Sequence, residues 1–291
     1  MAPTGYENAW NICAEDTDAP DTEMIDDLVN LLQGYNNINP NQIRILGSSN
    51  GAGLANRVFI ENPNAGIDII CTIVSQLNEP QYHSGSFYQP GTSTDASTPF
   101  CGYDVAATPI TTRKYLSICN DNDPVIPYAG GSSAVGVNFL HAETAAYLIA
   151  QHQGYTGDQL TSGNTIGNPA ITEFSYLAGT VVHIKGDARH AANSTQRSYI
   201  TDFFAGIDVV LAIDGKLHSK MNVYPNPTRS TVTVHRVSSQ TVSYLVFNTL
   251  GQPVRQGMCH SKMLSIDLSS LPGSIYFLKM GDQLMRIVKS E

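Results

Sequence analysis

The chain reads as an α/β unit followed by a small all-β, Ig-like sandwich, and three observations predict this. Apolar strand-like runs alternate with helix-period segments up to about residue 205. Beyond that point short alternating strands follow one another with turn residues between them and no helix period. The charge also changes sign. Met1 to Lys216 carries 8 Lys+Arg against 22 Asp+Glu, and the remainder 8 against 3, so a balance of -14 gives way to +5 within a net charge of -9. The expected organisation is residues 1–205, a linker at 206–217, and a second domain at 218–291.

Composition narrows the function. A hydrophobic content of 42% and a charged content of 14% describe a chain that buries a core. An acidic first domain is a poor partner for nucleic acid, where Lys and Arg must neutralise phosphates. No apolar run approaches the eighteen or so residues of a transmembrane helix. The opening "MAPTGYENAWNICAEDTDAP" lacks the basic and apolar regions of a signal peptide. Five cysteines form no CxxC pair and no zinc spacing, so no metal is implied. Cys71 and Cys119 lie in strand-like runs and read as buried free thiols. Cys13 and Cys101 lie in loop-like sequence and can pair if the protein is exported; Cys259 falls in the tail, and with five cysteines at least one has no intramolecular partner.

Taken in order, "DTEMIDDLVNLLQGYN" is an amphipathic helix, with Asp21 as N-cap, an apolar face of Met24, Ile25, Leu28, Val29, Leu31 and Leu32, and Gly34 as its stop. "NQIRILG" is a short buried strand and "AGLANRVFIEN" the next helix. "IDIICTIVSQ" and "RKYLSIC" are β-branched or apolar runs suited to a parallel sheet covered on both faces. "NFLHAETAAYLIAQHQG" is a helix, "ITEFSYL" and "TVVHIKG" are strands, and "STQRSYITDFFAG" is the last helix. This alternation predicts parallel strands joined by right-handed crossovers.

Between the first strand and its helix lies Gly47-Ser48-Ser49-Asn50-Gly51. Small residues flanking Ser49 permit a tight turn that lifts its hydroxyl above the sheet, with the Asn50 N–H aimed where an oxyanion forms. A serine nucleophile needs a base, and the base an orienting carboxylate. After "KYLSIC" comes "NDNDPVIPYAGG", with Asp121 and Asp123 at a strand end. After "TVVHIKG" comes "DARHAAN", with His190 at a strand end. Asp123 is the candidate acid, and Asp121 reads as a turn-capping residue. His183 lies within a strand, His141 and His152 on a helix, and His83 ahead of the acid, which leaves His190 as the candidate base.

Together "WNIC", "DDLVNLLQGYNNINPNQIRILGSSNGAGLANR", "NDNDPVIPYAGG" and "KGDARH" resemble the secreted feruloyl-esterase and polyhydroxybutyrate-depolymerase branch of the α/β-hydrolases, over about Trp10 to Phe204. The resemblance places Ser49 on the family's nucleophile, Asp123 on its acid and His190 on its base. It implies a serine esterase acting on polysaccharide-linked feruloyl or acetyl esters, or on polyesters, without a cofactor. Trp10 and Tyr128 become candidate walls of a substrate site. The chain departs from the pattern in two places: Cys119-Asn120 stands where His-Gly is usual, with little consequence expected for the chemistry. One clear strand precedes Ser49 and no early His-Gly loop supplies a second oxyanion donor, whose loss costs about 3 kcal/mol. The expectation is therefore an N-terminally truncated hydrolase with an exposed apolar sheet edge.

In the tail, "VYPNPTRSTVTV", "VFNTLGQPV" and "IDLSSLPGSIYFLKM" followed by "RIVK" resemble the C-terminal sorting domain of type IX secretion substrates, from about Met221 to Lys289. The resemblance implies outer-membrane export and the type IX machinery as a partner. Two rival readings accompany the esterase: a catalytically impaired hydrolase-fold surface binding protein, and a serine peptidase of the same fold, since an elbow specifies acyl transfer and not the acyl group.

Overall fold

The computed structural model describes residues 2–13, 15, 19–206, 222–236, 241–249, 251–280 and 283–290. The chain forms two compact units, Met1–Val209 and Val210–Glu291. All but the first residue of the 206–217 linker, together with the start of the second domain at 218, lies outside the described residues.

The first unit is mixed α/β. Its elements are α1 (Asp21–Gln33), β1 (Ile43–Ser48), α2 (Asn50–Glu61), β2 (Ile67–Ile73), β3 (Lys114–Asn120), α3 (Ala142–His152), β4 (Asn164–Ile166), β5 (Ile171–Tyr176), β6 (Val181–Gly186) and α4 (Ser194–Ala205). They build one six-stranded sheet in the order β1-β2-β3-β6-β5-β4. The pairs β1/β2, β2/β3 and β3/β6 are parallel. Not every strand follows the predicted crossovers, because β5 runs antiparallel to both β6 and β4. The reason is length: four residues separate β5 from β6, enough for a hairpin and far too few for the helix a parallel crossover needs.

Successive residues of the central strands face opposite ways. Ile70 and Tyr115 join Val58, Phe59 and Ile149 in the core under α1 to α3. Their neighbours Cys71 and Leu116 join Ile184, Ile200 and Phe203 in the core under α4. Burial on both faces is why these strands read as unbroken apolar runs.

Three local expectations are corrected. Asp21 does not cap α1; Pro20 holds that position, and the buried Asp21 carboxylate accepts the Asn11 N–H at 2.6 Å. Burial raises the pKa of Asp21. The third helix begins at Ala142, and Asn138–Phe139 ahead of it pairs as a short strand with Gly131–Ser132. Tyr82–His83, Ser86–Gln89 and Val105–Ala107 form a small antiparallel sheet that no alternation announced.

One buried cation secures the helix behind the site. Arg113 is fully buried and donates to the carbonyls of Val58, Phe59, Asn62, Asn64 and Ile67. It thereby ties the end of α2 to the turn that follows and to the start of β2; the Val58 and Asn64 carbonyls also accept backbone N–H groups, from Asn62 and Ile67. Burial lowers its pKa to about 10.

The second unit is all-β among its described residues: β7 (Asn222–Tyr224), β8 (Thr231–His235), β9 (Val242–Phe247), β10 (Pro253–Cys259), β11 (Met263–Asp267), β12 (Ser274–Met280) and β13 (Gln283–Lys289). They form two antiparallel sheets, β7-β8-β11 and β10-β9-β12-β13. Val232, Val234, Val246, Ile266, Leu278 and Ile287 make an apolar core that is almost completely dry.

Candidate active site

The register of the sheet brings three turns to one border. Ser48 pairs with Ile73, and Asn120 with Gly186, so β1, β2, β3 and β6 all end at the same side. The carboxyl ends of parallel strands are where open α/β sheets carry their ligands.

Ser49 occupies the turn from β1 into α2 with φ 54° and ψ -121°. A non-glycine residue with positive φ is strained, and such strain collects at functional sites. Hydrogen bonds hold it there: the Ser49 N–H donates to Ile73 at 2.9 Å, and its carbonyl accepts from Ala52 and Gly53. The two glycines of the turn differ. A Cβ on Gly47 would lie 2.0 Å from the Gly51 carbonyl oxygen, whereas one on Gly51 would meet only the Trp10 ring at 3.6 Å.

Ser49 Oγ lies 2.7 Å from His190 Nε2. On the other side of the ring, His190 Nδ1 lies 2.8 Å from Asp123 Oδ2 and 3.0 Å from Oδ1. Asp123, nearly buried, also accepts the N–H groups of Val125 and Ile126 at 2.8 and 3.1 Å. Those bonds fix the carboxylate, which fixes Nδ1 as the protonated nitrogen and leaves the Nε2 lone pair for the serine proton. Asp121 lies outside this chain of contacts, exposed and 3.6 Å from Lys185.

The residue after Ser49 has two jobs. The Asn50 N–H belongs to the first turn of α2, where backbone donors have no partner within the helix. Its side chain points away, accepting the Trp10 N–H at 2.7 Å and donating to the Trp10 carbonyl and to Glu15 Oε1. Asn50 is thus clamped by an arm made of residues 10–13 and Glu15. That arm is tied down by Arg57 to the Asn11 carbonyl, by Tyr103 to the Ile12 carbonyl, and by a disulfide between Cys13 and Cys101 with Cα atoms 5.1 Å apart. Cys71, Cys119 and Cys259 are free and buried. Burial raises the pKa of Cys71 and pushes that of Cys119 up to about 12.

A cleft of about 60 Å³ lies in front of Ser49. Ile12, Ile126, Val135, Val137 and Phe139 form its apolar wall, and Glu15, Ser75 and Asn78 are polar members of the lining. Neither predicted wall residue belongs to it. Trp10 acts through its backbone on Asn50 while its ring rests beside Gly51. Tyr128 is buried, donating to Glu143 at 2.9 Å and bonding His183 Nε2 at 2.8 Å. Burial, then the Glu143 carboxylate, raises the Tyr128 pKa. His183 is fully buried, and desolvation lowers its pKa to about 3. His83 stacks between Tyr88 and Phe100 and takes no part in the site.

Asn120, expected to matter little, is the residue that sequence reasoning undervalued. It is fully buried, and its Nδ2 donates to the carbonyls of Arg189 and Ala191 at 2.7 and 2.8 Å, gripping the backbone on both sides of His190. Gln196 holds the Asn120 amide by donating to Oδ1 at 2.8 Å. Asn122 reaches across similarly, donating to the Asp187 carbonyl and accepting the Arg189 N–H. The repeated Asn-Asp-Asn-Asp in "NDND" was the available signal.

Residues 222–290 match the family of secretion system C-terminal sorting domains. The chain is an exported protein. Its destination is outside the cell or the cell surface, and the sorting domain makes the type IX secretion machinery its partner. Among the described residues no helix is long and apolar enough to cross a membrane. No curated protein matches the chain. Among solved structures, a single mutant of a thermostable endoglucanase from Alicyclobacillus acidocaldarius is 18% identical over 21% of this chain. The match spans 12% of that structure's length with a TM-score of 0.18, a likeness that carries no argument.

Proposed function

We propose that the exported chain is a serine hydrolase of carboxylic esters. The observation that carries the reading is the continuous Ser49 Oγ, His190 Nε2, His190 Nδ1, Asp123 Oδ2 chain, with contacts of 2.7 and 2.8 Å, on a strained strand-to-helix turn. The resemblance of the first domain to the feruloyl-esterase and polyhydroxybutyrate-depolymerase branch of the α/β-hydrolases supports it.

Each step follows from the residues. As Ser49 Oγ forms a bond to the ester carbonyl carbon, its proton passes to His190 Nε2, and Asp123 stabilises the imidazolium. The carbonyl oxygen becomes an oxyanion that accepts the Asn50 N–H. Collapse of the tetrahedral species breaks the bond to the alcohol, which leaves with the proton from Nε2. Water, deprotonated by His190, then attacks the acyl-serine and releases the acid. A cleft of about 60 Å³ supports a short acyl group over a bulky aromatic one.

The test is hydrolysis of p-nitrophenyl acetate together with labelling by a fluorophosphonate. Wild type is expected to turn over and label, and Ser49→Ala to lose both, with kcat lower by about 10⁴-fold or more. Identical signals from the two proteins would sink the assignment of Ser49. A wild type inactive in both assays would favour a surface binding protein on the same scaffold.

A further inference from the structure

The triad and Asn50 do not use every polar group in the cleft. Ser75 and Asn78 both line it, at 5% and 1% exposure. Among the described residues the Ser75 hydroxyl has no hydrogen-bond partner; the one bond at this residue is its carbonyl, accepting from Asn56. Asn78 exchanges bonds with Gln81 through its N–H and Oδ1, leaving the Nδ2 donor without an acceptor. Neither free atom is among the sealed, unpartnered groups of the interior, so each reaches accessible space. For side chains so deeply set, that space is the cleft they line. Buried polar groups are ordinarily paired, and one left open at a binding site is waiting for a ligand atom.

The backbone supplies an independent sign. Val74, just after β2, has φ 53° and is held by its N–H donating to Ile118 at 2.7 Å. A β-branched residue in the left-handed region is a true outlier. The kink breaks the alternation of β2 immediately before Ser75. Strain of this kind persists where it sets up a site.

Glu15 sets the charge of the acceptor. Its carboxylate lines the same cleft and receives the N–H groups of Ile12 and Cys13 and the Asn50 amide. A second carboxylate entering beside it would be repelled, so the group that Ser75 and Asn78 take is neutral.

Resting on the serine-esterase reading, we propose that Ser75 and Asn78 are the specificity-determining pair, hydrogen-bonding a neutral oxygen that the acyl group carries beside its scissile carbonyl. The acyl group occupies the cleft in both half-reactions, first on its alcohol and then on Ser49, so contacts to it act on each. The substrate class is a short oxygenated acyl ester, and a plain alkyl ester leaves two donors unpaired. A site built to bond an oxygen discriminates strongly against an analogue lacking it.

The probes are p-nitrophenyl methoxyacetate and p-nitrophenyl butyrate, which differ by an ether oxygen in place of a methylene. Each kcat/KM is normalised to the ester's own hydroxide-catalysed rate. Wild type is expected to favour the methoxyacetate at least about tenfold. Ser75→Ala removes the hydroxyl, and Asn78→Ala removes the Nδ2 donor together with the Oδ1 that accepts from Gln81. Either is expected to cut the preference several-fold, with kcat/KM for the methoxyacetate falling by more than that for butyrate, and a cooperative thermal unfolding transition in each variant confirms its folding. A wild type without preference, a preference untouched in both variants, or an equal fall on both esters overturns the pair while leaving Ser49 in place. If neither ester shows Ser49-dependent hydrolysis, both readings fall together.

Discussion

In the first unit Arg113, Asn120, His183 and Gln196 are fully buried, each bonded to backbone or side chains distant in sequence. In the second unit the buried polar side chains among the described residues are Thr228 and Lys289, whose partners, Thr231 and Ser290, are close by in sequence. Buried polar groups are costly unless satisfied, but once satisfied they hold one arrangement. The first unit carries loops that must meet within hydrogen-bond distance, and it uses these groups to place them. The sorting domain needs a stable sandwich, and apolar packing is enough for that.

The sharpest way to break this contrast is to delete one polar group from each unit. Arg113→Met keeps an apolar stem but removes the guanidinium that donates to five carbonyls, so it is expected to lower unfolding free energy by about 3 kcal/mol or more. Thr228→Val removes a hydroxyl that donates to the Thr231 carbonyl and accepts the Ser230 N–H, and is expected to cost about 1 kcal/mol. Denaturant unfolding measures both, and equal costs would dissolve the distinction.

A smaller effect is expected at Asn120. Asn120→Ala frees the carbonyls on either side of His190, and kcat should fall about tenfold to hundredfold with KM little changed. A positioning role also moves the His190-dependent limb of the pH–rate profile, whereas a purely structural one lowers stability and leaves the profile where it was.

A further effect concerns pH. The His183 pKa of about 3 lies below its ordinary 6.5, so below pH 6.5 the unfolded chain binds a proton that the native one refuses. Stability contributed by neutral His183 is complete above pH 6.5 and is lost as the pH falls towards 3, at roughly 1 kcal/mol per pH unit. Comparing urea unfolding of wild type and His183→Gln at pH 7 and pH 5 isolates this slope from that of the carboxylates.

What could be read from sequence was what is local. The turn from β1 to α2 is written in consecutive residues, and the order Ser49, Asp123, His190 needs only that each follow a strand. The antiparallel β5 was hidden because "ITEFSYL" shows the same run whichever way it pairs; the short gap to β6 decided it. Trp10 and Tyr128 are candidate walls on the esterase resemblance, yet a place in the sequence does not say which face a ring occupies. Tyr128 turned inward to His183, 55 residues away. The roles of Asn120 and Ser75 are not legible in sequence for a related reason: their meaning lies in groups brought to them by folding, 69 residues distant for the Arg189 carbonyl.

The motif around Ser49 looks symmetric when written out, a glycine on either side at equal spacing. The contacts of its two glycines say otherwise. Divergence can replace Gly51 with alanine at the cost of a touch on the Trp10 ring, whereas any side chain at 47 drives into the backbone of the helix that follows. Substitution is therefore tolerated at one end of the motif and excluded at the other, and the half that cannot change is the one belonging to the strand.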